Sequence, residues 1–175
     1  MNYLKTVCIA LSAICLTPSL ALAHEPGAHV HGVGNLQIAV DANTLTLNLE
    51  SPLDNLLGFE HLPHTDKQKA AVRAMADRLN QPATLFLPTP AAQCKPVSTK
   101  LDSLVLTPAK KADGDGHADL DGEFVFHCEH PQALRDMEVK LFEAFPHMKQ
   151  LDVQVVSAHS QVAAKLSPKQ QRIVW

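Results

Sequence analysis

Ten histidines stand in this 175-residue chain, and a neutral imidazole is the commonest protein ligand for a borderline metal ion. Their placement is what makes them chemically suggestive. His24, His29 and His31 fall within one eight-residue stretch. His29 and His31 are separated by one residue, so in extended backbone both rings leave the same side. Two imidazoles on one side can share a Zn²⁺ at about 2.0–2.1 Å. A second cluster is Glu60-His61-x-x-His64. A third is His117-Ala118-Asp119, in which His117 and Asp119 share a strand face, with Asp113 and Asp115 close by as oxygen donors. A fourth is His127-Cys128-Glu129-His130, while His147 and His159 are isolated. Each group also has a plainer reading. The first is a solvated tail, the second steers a helix entry, the third is a surface pair, and the others are surface residues.

Other chemistries find no such support. There is no H-E-x-x-H of a zinc protease and no G-x-S-x-G of a serine hydrolase. No pair of catalytic carboxylates can be placed, and the sequence nominates neither an orienting base nor an oxyanion donor. The expectation is therefore metal binding without catalysis, and no enzyme. The formal net charge is −3 and no basic cluster of five residues occurs, which argues against a nucleic-acid partner.

The elements that must position these residues begin after residue 23. Lys5, the apolar run Val7 to Leu16, Pro18 and Ala21-Leu22-Ala23 read as a signal peptide (residues 1–23) cut after Ala23. The run is too short for a stable membrane anchor. A retained anchor and lipidation at Cys15 are the alternatives, the latter opposed by Ile14, where a small residue is needed. The expected location is the periplasm. Cleavage removes Lys5 and takes the net charge from −3 to −4. Cys8 and Cys15 leave with the signal, and Cys94 and Cys128 are expected to pair in an oxidising compartment. A loop of that length contributes about 4 kcal/mol in the chain-entropy model. The alternative is a free Cys128 beside His127, acting as nucleophile or metal ligand.

Residues 24–34 read as a flexible His/Gly-rich segment and residues 35–175 as one domain. Leu36, Ile38 and Val40 alternate, Asp41-Ala42-Asn43 turns, and Leu45, Leu47 and Leu49 alternate again, which predicts a hairpin ending at Ser51-Pro52. Thr65-x-x-Gln68 is a capping box. Val72, Met75, Ala76 and Leu79 then recur at helical spacing, predicting a helix from Asp66 to Asn80. Four prolines, from Pro82 to Pro96, mark an irregular connection. Val97 to Leu106 and Ala118 to Cys128 read as strands around a polar loop. Pro131 opens a second predicted helix lined by Leu134, Met137, Leu141, Phe142 and Phe145, and Pro146 ends it. Leu151, Val153 and Val155 form a further strand, with short ones at Val162 to Leu166 and Arg172 to Trp175. The order β-β-α-β-β-α-β-β predicts an α+β fold: a mostly antiparallel sheet with two helices packed on it and one disulfide. No Gly-rich phosphate loop supports a nucleotide-binding fold.

Two stretches carry a family likeness. His29-Val30-His31-Gly32-Val33-Gly34-x-Leu36, with Leu49-Glu50-Ser51-Pro52-x-x-Asn55-Leu56-x-Gly58-Phe59-Glu60-His61-x-Pro63, resembles the zinc-regulated periplasmic proteins of Gram-negative bacteria, the ZrgA-like family. The likeness continues through Cys94, His117-Ala118-Asp119, Phe126-x-Cys128, Leu141-Phe142-x-x-Phe145-Pro146 and Leu151-Asp152-Val153-Gln154. It implies a periplasmic protein that binds Zn²⁺ and assists zinc acquisition beside components of a zinc ABC importer. It carries over the N-terminal His pair and the H-x-D element as metal contacts. The His/Asp-rich insert of many family members is reduced here to residues 110–117, which argues for one or two sites rather than high-capacity storage. The candidate ligands are His29, His31, His117, Asp119, Glu60, His61 and His24. Two other readings stay open. One is a Cu²⁺ site built on the α-amine and imidazole of His24 with His29 or His31, since copper outranks zinc in intrinsic affinity. The other is a non-metal interaction module using a sheet face or edge strand.

Overall fold

The computed structural model describes residues 30–107 and 119–175. Alternation in the first predicted hairpin folds as expected. Strands β1 (Val33–Asp41) and β2 (Thr44–Pro52) pair antiparallel from Asn35↔Glu50 to Asp41↔Thr44. Leu36, Ile38, Leu45, Leu47 and Leu49 all turn to the core. The polar residues between them face the other side, as a period of two demands. The strand starts at Val33, so the last two residues of the expected flexible segment already belong to the sheet.

Three more strands complete the larger sheet on that plan: β4 (Cys94–Asp102), β5 (Asp119–Cys128) and β7 (Gln150–Val156), with β8 (Gln161–Leu166) at one edge. The order is β4-β5-β2-β1-β7-β8. All ladders within it are antiparallel except β1 with β7, which run parallel. Strand β4 begins three residues earlier than predicted. A bulge between Pro96 and Ser98 turns Val97 out to solvent, at the edge position where proline is tolerated. Cys94 lies directly opposite Cys128, and the two form the predicted disulfide.

The capping box is also as read. The Thr65 hydroxyl accepts from the Gln68 backbone N–H, the Gln68 side chain accepts from the Thr65 N–H, and α2 runs Asp66–Leu79. Its Val72, Met75 and Leu79 are buried. A side chain of that size removed from water contributes roughly 1.5–3 kcal/mol.

The second predicted helix is not formed. Residues Pro131–Ala133 make a single 3₁₀ turn, Asp136–Val139 form β6, and α4 is confined to Leu141–Ala144. Met137 fits helical spacing with Leu134 and Leu141, but Met137 and Val139 also alternate with Asp136 and Glu138. Pairing decided the matter. β6 is the middle of a small sheet between β3 (Phe86–Pro88) and β9 (Arg172–Val174). There Met137 and Val139 are fully buried, while Asp136 and Glu138 both meet Arg172. Phe86 packs on Phe124 of β5 with ring centroids 5.0 Å apart, so the two sheets share one core. Two short helices were unforeseen, α1 (Leu53–Leu57) and α3 (Pro82–Leu85). The fold is α+β with a mostly antiparallel sheet. Among the described residues no helix is long and apolar enough to cross a membrane.

Candidate metal centre

Strand order and direction gather four segments that carry candidate donors at one end of the larger sheet. β2 ends at Pro52, opposite Asp119, where β5 starts. β1 starts at Val33, opposite Gln150, where β7 starts. These neighbours are about 4.8 Å apart, so four segment ends lie along roughly 14 Å. His31 precedes β1, α1 with Asp54 and then the loop carrying Glu60 and His61 follow β2, Asp119 opens β5, and His147 precedes β7. His127, Glu129, His130 and the disulfide occupy the opposite end, as does His159 between β7 and β8.

A buried amide holds this end together. Asn55 on α1 is fully buried. Its Oδ1 accepts from the Gly32 N–H at 2.6 Å, and its Nδ2 donates to the Val33 carbonyl at 2.8 Å and to the Ser51 hydroxyl at 3.2 Å. A buried side-chain amide is stable only if its donors and acceptor are matched in this way. Gly32 has φ +86, a conformation other residues adopt at a cost. Its carbonyl accepts from both Lys149 and Gln150, at 2.7 and 2.9 Å. The Val30–Gly32 turn is thus fastened to α1 on one side and to the start of β7 on the other. Gly58 ends α1 in the left-handed region at φ +77, its N–H donating to the Asp54 carbonyl at 2.9 Å, and so turns the chain toward Glu60.

The outcome is an imidazole between two carboxylates. His31 Nε2 lies 3.1 Å from Glu60 Oε1, and Nδ1 lies 3.9 Å from Asp54 Oδ2. The His31 ring is 60% exposed, whereas Glu60 is only 17% exposed. A divalent cation arriving from solvent can take one ring nitrogen while a carboxylate either ligates beside it or orients the ring through the other nitrogen.

The predicted ligands divide here. His31 and Glu60, from different clusters in the sequence, meet. Glu60 and His61, adjacent in the sequence, part. His61 places Nδ1 2.8 Å from the Leu62 carbonyl, and its ring lies between Phe59, at 5.1 Å, and His64, at 5.2 Å. Asp119 stands at the same end of the sheet, its carbonyl accepting from Ser103 at 2.7 Å. His24, His29 and His117 lie outside the described residues. Among the described residues no three His, Cys, Asp or Glu side chains already surround a common point.

Sequence reading missed Asp54, Asn55 and His147. Asn55 stood within the motif of the family likeness, but nothing local announced its role. His147 was isolated in the sequence, yet its ring covers Gly58. A Cβ added at Gly58 would lie 3.3 Å from His147 Cε1 and 3.4 Å from Nε2.

A family model described as ZrgA family zinc uptake protein matches residues 28–175. No curated protein matches the chain.

Proposed function

Because the chain belongs to the ZrgA family of zinc uptake proteins, we propose that it captures Zn²⁺ in the periplasm and passes it to an importer. The observation that carries this reading is the placement of His31 between Glu60 and Asp54 by the buried Asn55. His29 and His117 are proposed to join the site. Each is two residues from a described member, His31 and Asp119, and the covalent reach of two residues is at most about 7 Å. His24 and His61 are peripheral donors in this reading.

The exposure of His31 suits a carrier. A mixed imidazole and carboxylate site open to solvent binds zinc yet lets a partner's ligands displace it. No group here is proposed to activate a nucleophile or to hold a reacting substrate. Calorimetric titration of the untagged mature protein with Zn²⁺ at neutral pH tests the reading. One or two sites per chain are expected, and a sample that gives no binding heat and no zinc-dependent rise in melting temperature refutes it.

A further inference from the structure

We propose that His147 is a ligand of the same zinc ion, so that a single metal ties the turn before β1 to the turn before β7. This deepens the zinc-binding reading and depends on it. The parallel pairing of Val33 with Gln150 sets the two turns side by side, although more than half of the chain lies between them. The backbone around His147 is fixed on both flanks. Met148, fully buried, donates its N–H to the Phe145 carbonyl at 3.0 Å, and Lys149 and Gln150 donate to Gly32. His147 itself is exposed.

Its ring rests on Gly58, a residue that lies in the sequence between Asp54, whose carbonyl accepts from the Gly58 N–H, and Glu60, which meets His31. The close approach needs glycine there, because a methyl group would press on the ring. Neither ring nitrogen of His147 makes a hydrogen bond or ion pair to any described residue, whereas the His31 ring lies against Glu60 and Asp54 and the His61 ring meets the Leu62 carbonyl. A ring resting on Gly58, with its nitrogens uncommitted among the described residues, can offer one of them to a metal. The alternative is an imidazole that only covers a glycine. The side chains do not yet surround a point, so zinc is expected to draw the His147 ring toward His31 by rotation about its side-chain bonds.

The test uses the mature full-length protein with Zn²⁺ alone. His147→Asn is expected to weaken zinc binding by about tenfold or more, with an unchanged melting temperature in the absence of metal. His159→Asn, at the far end of the sheet, is expected to bind as the wild type does. Ring ¹⁵N chemical shifts decide between ligation and packing: addition of zinc should move one ring nitrogen of His147 and neither of His159. If the wild type binds zinc while His147→Asn retains full affinity, or while the His147 nitrogens stay unmoved, this proposal fails and the zinc reading survives. If the wild type binds none, both fail.

Discussion

The two ends of the six-stranded sheet are closed in different ways. At one end, Cys94 and Cys128 join neighbouring strands covalently, Asn43 exchanges hydrogen bonds with the Cys128 backbone, and Lys95 pairs with Glu129. At the other, Asn55 and the Gly32 carbonyl gather three segments by hydrogen bonds alone, and His31, Asp54, Glu60 and His147 ring the surface around them. The lesson is a division of labour. A cross-link placed far from the candidate site can stabilise the domain without fixing the geometry of the candidate donors.

Substitutions should affect the two ends differently. Replacing Cys94 and Cys128 together by Ala should have the largest effect, about 4 kcal/mol of unfolding free energy, read from denaturant titration. Zinc affinity of the folded protein should be unaltered; a parallel loss of affinity would mean that the two ends are not independent. Asn55→Ala should cost roughly 1–3 kcal/mol, because it strands the buried Gly32 N–H and Val33 carbonyl. Unlike the disulfide variant it should also weaken zinc binding, since His31 is then no longer held against Glu60. His31→Ala should reverse the pattern, with stability changed by no more than about 0.5 kcal/mol and zinc affinity reduced about tenfold or more.

The smallest effect sharpens the comparison through pH. Glu129 is held below its ordinary value of 4.5, first by the hydrogen bond from Lys95 and then by that charge. Its contribution is therefore complete above about pH 4.5 and fades as pH falls below it. Glu129→Gln should flatten that part of the stability profile slightly, as expected of a solvent-exposed pair. Zinc should leave the other end at a higher pH, near 6, where imidazoles generally gain protons. Melting curves with and without zinc from pH 4 to 7 would separate the two transitions.

What could be read from the chain was whatever is decided locally. The β1–β2 hairpin follows from strict alternation, and α2 follows from its capping box and helical spacing. The cysteine pair followed from the inferred compartment and from the number left after the expected signal peptide. The Pro131–Phe145 region misled because Leu134, Met137 and Leu141 satisfy helical spacing while Met137 and Val139 satisfy alternation. Only the partners β3 and β9 choose between them. Helix α1 is five residues long, too short to show a period, so Ser51-Pro52 looked like an end rather than the entry to Asn55. The candidate site was legible as a set of residue types but not as a grouping. His31 meets Glu60 through a buried amide, and His147 arrives by a parallel pairing across most of the chain. Neither relation leaves a mark in nearby residues.

The central place of β1 has a consequence for biogenesis. It is the earliest described strand to be synthesised, yet one of its two neighbours, β7, begins only at Gln150. A nascent chain shorter than that can form the hairpin with β2 but has nothing to receive the other edge of β1, and the Gly32 carbonyl lacks both of its donors. Such late, long-range closure slows folding. If the proposed site takes zinc, a chain that stops short of Gln150 would present His31 on a turn whose Gly32 carbonyl is unfastened.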